Sequence, residues 1–224
     1  MISLEWYALP QLAHDLAILL AYSFIGCSIK FIDQAFDIGV FSKRIALLLS
    51  VPMSVLMGLL MVFDPLSASI FMAVALGAAV AGKIDNIAFK VGVGLLMLIP
   101  VFFSDIIKLF WLPFGVLFIA AVIDEYGNDW SDAYNRKINI KRKKNRVLDI
   151  AAFFFTHRSV MKLTVLALVV TDHLLLLYLP AFLLLDLGYH ITEKISFTIK
   201  PSRLKNPNNK LSQITLDTTL MPGI

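Results

Sequence analysis

The sequence predicts an all-α fold, a polytopic transmembrane helical bundle with six or seven spans. Hydrophobic residues make up 58% of the 224 residues and charged residues only 16%, whereas soluble domains average about 45–50% apolar and about 25% charged residues. The mean hydropathy is +0.79. Apolar windows of about 18 residues also follow one another, which is typical of membrane spans. We therefore expect an integral membrane protein that is embedded in the lipid bilayer.

The first three spans are expected at about 11–31, 45–63 and 66–84. Asp64 and Pro65 form a turn signal that separates the second span from the third. The third span contains several small residues, and such residues let neighbouring helices approach closely in a membrane. These are Gly77, Ala78, Ala79, Ala81 and Gly82.

Two further spans are expected at about 89–103 and 106–123, and Pro113 is expected to kink the second of them. The mostly apolar stretch 147–190 is long enough for two spans of about 20 residues. It allows two interpretations.

In one interpretation, an interfacial helix over 147–157 precedes a single span over 163–186. In the other, two spans meet near Asp172 and His173. In either case residues 1–191 are expected to form the bundle, and the polar tail 192–224 is expected to be disordered.

The loops predict the orientation of the chain. Spans one, three and five end on the same side, and the loops of that side contain most of the lysine and arginine residues of the first 146 positions. An excess of these residues marks the cytoplasmic side. We therefore expect the N-terminus outside and the acidic loops inside, in the cell (inner) membrane.

Carboxylates gather where the first and fifth apolar runs end. Asp33 and Asp37 are four residues apart, and Asp129 and Asp132 are three apart, so each pair would share one helix face. Helix C-termini disfavour acidic side chains, so a balancing positive charge is expected. Because Mg²⁺ prefers carboxylate oxygens, water and substrate phosphates, these four residues are the predicted Mg²⁺ ligands.

Basic residues follow both acidic pairs. Lys43 and Arg44 come after the first pair, and Lys141 and Arg142 come after the second. These four cations are predicted to bind the phosphate of a substrate. No catalytic base or nucleophile can be assigned from the sequence. The alternative is that each carboxylate only forms a salt bridge with a nearby lysine or arginine.

Two of these segments resemble a known family. Asn128, Asp129 and Asp132 have the spacing of the Asn-Asp-x-x-Asp motif of the UbiA-type intramembrane prenyltransferases, and Asp33 with Asp37 resembles the Asp-x-x-x-Asp core of the companion motif. The resemblance implies metal or diphosphate binding by these five residues. Arg136 and Phe41 stand where the two motifs have a further acid. The resemblance covers about two dozen residues, and the chain is shorter than usual nine-helix members.

These observations predict a membrane-embedded, divalent-metal-dependent transferase that acts on a lipid-soluble, isoprenoid phosphate or diphosphate. The alternative is a small non-enzymatic transporter or a scaffold protein with structural salt bridges. A nucleic-acid partner is not expected, because the net charge is only +4 and the basic segment lies beside a membrane.

The predicted orientation can be tested with reporter fusions. A reporter fused after Asn135 should be cytoplasmic, and one fused after Asp64 should be external, as alkaline phosphatase and fluorescent-protein activities would show. The opposite result would overturn the assignment of the acidic loops to the cytoplasm.

Overall fold

The structure, a computed structural model, describes residues 11–103, 107–141 and 146–204, which form eight α-helices and no strand. The all-α prediction is therefore confirmed. The helices are α1 (Gln11–Asp37), α2 (Lys43–Phe63), α3 (Pro65–Val80), α4 (Ile87–Phe102), α5 (Trp111–Lys141), α6 (Arg146–Thr156), α7 (Ser159–Val170) and α8 (Tyr178–Leu204).

Helix α3 begins and ends at residues suited to those positions. The side chain of Asp64 accepts hydrogen bonds from the backbone N–H groups of Leu66 (3.2 Å) and Ser67 (3.0 Å), and Pro65 fills the first helical position. Gly82 has φ +71° and ends the helix. The expectation that Gly82 packs against another helix was wrong, because it is exposed and terminates α3 instead.

Six of the helices form a closed ring. Going round it, α1 contacts α8, α8 contacts α7, α7 contacts α5, α5 contacts α3, α3 contacts α2, and α2 returns to α1. Helix α4 packs on α2 outside the ring, and α6 packs on α5 and α7. Because the first and last described helices are neighbours, the ring encloses a central space.

Hydroxyl groups from three of the ring helices gather beside Asp64. The Tyr178 hydroxyl donates to the Asp64 carboxylate over 2.5 Å. The hydroxyls of Tyr22 and Ser67 are 2.9 Å apart. All four side chains are buried, so this cluster joins α1, α3 and α8 at the turn between α2 and α3.

Within the described ranges, two helices, α1 and α2, are long and apolar enough to cross a membrane, and a third span is possible if α6 and α7 are counted as one. This is fewer than the six or seven spans predicted. Helices α3 and α4 have 16 residues each, or about 24 Å, against a hydrocarbon core of about 30 Å. Helix α5 is apolar only over 111–123 and then becomes strongly charged.

The region after residue 146 combines features of both interpretations. Helix α6 nearly coincides with the expected interfacial helix, and it meets α7 at an angle of 68°. Helix α7 stops at Val170, so no single helix covers 163–186. Asp172 and His173 are exposed in the turn that separates α7 from α8, as the second interpretation expected.

Two smaller expectations also differ from the structure. Pro113 lies in the first turn of α5, where a proline requires no kink. Helix α8 continues to Leu204 with Thr192 and Ser196 buried, so the first part of the predicted disordered tail is helical. Residues 205–224 lie outside the described part of the chain.

Gly77 shows how closely the ring helices pack. A Cβ atom at Gly77 would lie 2.6 Å from the Cβ of Ala121 on α5, which is too close for two carbon atoms. The prediction that Gly77 contacts another helix is confirmed. The α3–α5 contact depends on the missing side chain.

Gly77→Leu should lower thermal stability in detergent, by about 1–3 kcal/mol, because the larger side chain must push α3 away from α5. Gly94→Leu is the matched control, since a Cβ atom at Gly94 on α4 meets nothing within 4 Å. Equal melting temperatures for the two variants would contradict the close approach of α3 and α5.

Candidate functional site

The ring encloses a cavity of about 420 Å³ to which all six ring helices contribute. One part of its lining is apolar, with side chains such as Ile29, Met57, Phe71, Val74 and Phe182. The other part is charged or polar, with side chains from α1, α5, α8 and the break between α6 and α7. The cavity therefore suits an amphiphilic molecule better than a wholly polar or wholly apolar one.

Lys30 is the buried cation of the charged part. It lies on α1 with 6% of its surface exposed. Its Nζ is 2.8 Å from Asp33, 3.1 Å from Glu193 on α8 and 3.1 Å from the Tyr189 hydroxyl. It also lies 4.5 Å from the centre of the Tyr189 ring. Two carboxylates, a hydroxyl and a ring face thus compensate its burial.

A second cation, Arg158, contacts the same tyrosine. Arg158 lies between α6 and α7 with φ 47° and ψ 50°, a left-handed conformation that is rare for a residue with a side chain. Its Nη2 is 3.0 and 3.2 Å from the two carboxylate oxygens of Glu125. Its guanidinium carbon is 5.4 Å from the centre of the Tyr189 ring. Two cations therefore share one aromatic ring in the cavity.

Asp124 holds the start of α7 in place. It follows the apolar half of α5, and its carboxylate accepts hydrogen bonds from the N–H groups of Val160 (3.1 Å) and Met161 (2.7 Å). These donors belong to the first turn of α7, where no residue of the same helix can accept them. Burial raises the pKa of Asp124, and the two N–H donors oppose that rise.

Two histidines also line the cavity. His190 on α8 lies between the carboxylates of Asp186 and Glu193, at 3.7 and 3.4 Å. The Nζ of Lys162 is 2.7 Å from Asp186. The ring of His157, at the end of α6, is 5.9 Å from that of His190, measured between centres.

The predicted acidic residues are divided among different partners. Asp33 contacts Lys30, and Asp129 forms an ion pair with Lys83 from the turn between α3 and α4. Asp132 lines the cavity and is exposed. Asp37 is exposed at the end of α1 and interacts electrostatically with Asp33 and Asp85. Of the three acidic ends, the segment after α3 contacts the charged half of α5 through Lys83 and Asp129.

No three His, Cys, Asp or Glu residues in the described ranges lie close enough together to hold a metal ion. Asp33 and Asp129 each have a lysine partner, as the salt-bridge alternative expected. Mg²⁺ binding by Asp33, Asp37, Asp129 and Asp132 stays a prediction.

The predicted phosphate-binding residues that the structure describes are divided between the cavity and the outer surface. Lys43 and Arg44 are exposed at the start of α2, and the Nζ of Lys43 lies 5.5 Å from the ring centre of Phe36. Asn128 lines the cavity. The side chain of Lys141, together with Arg142, falls in a part of the chain that the structure does not describe.

The cavity cations that the prediction missed are Lys30, Arg158 and Lys194. Lys30 was hidden by the apolar run around it. Arg158 and Lys162 interrupt an apolar stretch, and that interruption is the available sequence signal. Glu193 begins the segment that composition assigned to a tail, so its contact with Lys30 had no local signal at all.

No protein-family model, no curated protein and no solved structure matches this chain. The resemblance to the prenyltransferases therefore rests on the two motifs alone.

Asp124→Ala should lower the free energy of unfolding by about 1–2 kcal/mol, because two N–H groups at the start of α7 lose their acceptor. Thermal unfolding in detergent would measure this. Asp132→Ala, on an exposed position of the same helix, should change stability by less than about 0.5 kcal/mol. If both variants behaved alike, Asp124 would not be the cap of α7.

Proposed function

We propose that the protein is a membrane-embedded transferase that binds a lipid phosphate or diphosphate in the central cavity. The observation that supports this most is the division of one cavity into an apolar part and a part with the cations Lys30 and Arg158. The lipid chain would lie among the apolar side chains, and the phosphate would lie beside the two cations. The two motifs shared with the prenyltransferases favour an isoprenoid chain.

Lys30 and Arg158 are placed to exchange a carboxylate partner for a phosphate oxygen. Glu125 and Glu193 neutralise them in the described structure. A phosphate oxygen would take the place of one carboxylate oxygen on each cation, so the buried charge of Lys30 and the partly exposed charge of Arg158 would keep a partner throughout. The shared ring of Tyr189 holds both cations at one place.

The formal charge of the cavity affects how tightly a diphosphate can bind. Five carboxylates and three cations line it, so its formal charge is −2 with both histidines neutral. A diphosphate alone would add to that negative charge. We therefore expect it to bind more tightly when a divalent cation accompanies it, which is how the predicted Mg²⁺ would enter.

The alternative of a small transporter or scaffold keeps one observation in its favour. Asp33, Glu125, Asp129 and Asp186 all form ion pairs between or within helices, as structural salt bridges would. In that case an amphiphile would bind without being converted, or would not bind.

Farnesyl diphosphate is a suitable probe, with farnesol and inorganic pyrophosphate as its two halves. The purified protein should bind the whole molecule more tightly than either half, and Mg²⁺ should strengthen the binding. Arg158→Gln should weaken farnesyl diphosphate binding about 10-fold or more, because one charge-assisted contact is lost, and should leave farnesol binding unchanged. Thermophoresis in detergent would measure each affinity.

Lys43→Gln is the matched control, since Lys43 is a cation outside the cavity, and its binding should equal that of the wild type. Transfer would be followed separately, as labelled farnesyl product formed with a membrane lipid extract. Binding without product would favour the transporter alternative. If the wild type, Arg158→Gln and Lys43→Gln bound farnesyl diphosphate equally well, the cavity would not be the binding site.

A further inference from the structure

His157 and His190 face the cavity, and neither is needed to anchor a phosphate. Their ring centres are 5.9 Å apart. A transferase that joins a phosphorylated lipid to an acceptor must also move protons, and histidine is the side chain most often used for that. The surroundings of the two rings differ in a way that suits opposite roles.

The contacts of His157 fix which nitrogen carries its hydrogen. Nδ1 lies 2.8 Å from the carbonyl oxygen of Phe153, and a carbonyl can only accept, so Nδ1 donates. In a neutral imidazole, Nε2 is then the nitrogen that can accept a proton. The ring also packs 4.2 Å from the ring of Phe153, between centres. The orientation and the tautomer are both set before any ligand binds.

The contacts of His190 are of the opposite kind. Its Nε2 faces Asp186 at 3.7 Å and its Nδ1 faces Glu193 at 3.4 Å, and both are acceptors. Each carboxylate is itself held by a lysine, Asp186 by Lys162 and Glu193 by Lys30. This arrangement suits a ring with hydrogens on both nitrogens, which can donate one of them.

The cavity carboxylates are mostly engaged elsewhere. Asp124 accepts two backbone N–H groups, Glu125 contacts Arg158 through both oxygens, and Asp186 and Glu193 face lysines and His190. Nε2 of His157 has no hydrogen-bond partner among the residues that the structure describes. Asp132 is the one rival base in the lining, and it is tested below.

We propose that His157 is the general base and His190 the general acid of the transfer, and that the acceptor carries a hydroxyl group. This rests on the proposed function. The acceptor O–H bond breaks and its proton passes to Nε2 of His157, while the oxygen forms a bond to carbon 1 of the lipid chain. The bond between that carbon and the diphosphate breaks, and the leaving oxygen receives the proton of His190. Exchange with water then restores both rings.

The test uses the full-length protein, farnesyl diphosphate and the lipid extract that yields labelled product. His157→Ala should lower the rate about 10²- to 10⁴-fold, the usual contribution of a general base, while the affinity for farnesyl diphosphate stays within about twofold. The acid side of the pH–rate profile should disappear. Added imidazole should restore part of the rate, which a merely structural histidine would not allow.

His173→Ala is the matched control, because His173 is exposed in the turn before α8, and it should behave as the wild type. Loss of the acid side of the profile in Asp132→Asn instead of His157→Ala would assign the base to Asp132 and overturn the role of His157. An unchanged rate in His157→Ala, or a lost rate without rescue by imidazole, would overturn the role of His157. If the wild type bound farnesyl diphosphate but formed no product, the proposed transferase activity would be wrong. The proposed proton transfers would then be wrong as well.

Discussion

The positive charge of Lys30 inside an apolar bundle is the constraint on which the rest of the structure depends. An unpaired buried charge costs several kcal/mol, and besides Asp33 of its own helix Lys30 has a second carboxylate from another helix. Glu193 on α8 supplies it, and Tyr189, one turn earlier, supplies a hydroxyl and a ring face. The requirement brings together two helices far apart in sequence, and it closes the ring of six helices round a cavity.

The need to pair each cation with a carboxylate also explains the contacts on the other side of the cavity. Arg158 needs Glu125, and Lys162 needs Asp186, so the break between α6 and α7 is tied both to α5 and to α8. Asp124 adds two hydrogen bonds to the first turn of α7. The polar groups are thus placed by electrostatic need, whereas the apolar half is placed by packing at positions such as Gly77.

Local patterns predicted the helices well and the site only partly. The end of α2 agrees with the prediction and the start of α3 differs from it by one residue, because Asp64 and Pro65 act within one turn. The fifth span was expected to end at residue 123. Helix α5 continues beyond it, and its acids have partners in the turn after α3, in the break between α6 and α7, and in α7. Those partners lie in other segments, so no window of sequence contains them. Lys30 and Glu193 were missed for the same reason.

The closure of the ring by α1 and α8 also bears on how the protein is made. Lys30 and Tyr189 are 159 residues apart, and ribosomes add about 5–20 residues per second. For roughly 8–30 s after α1 emerges from the ribosome, Lys30 therefore lacks its partners on α8. During that interval Asp33, within the same helix, is the nearby carboxylate available to it. Asp33 can therefore neutralise Lys30 until α8 has been synthesised and brings Glu193.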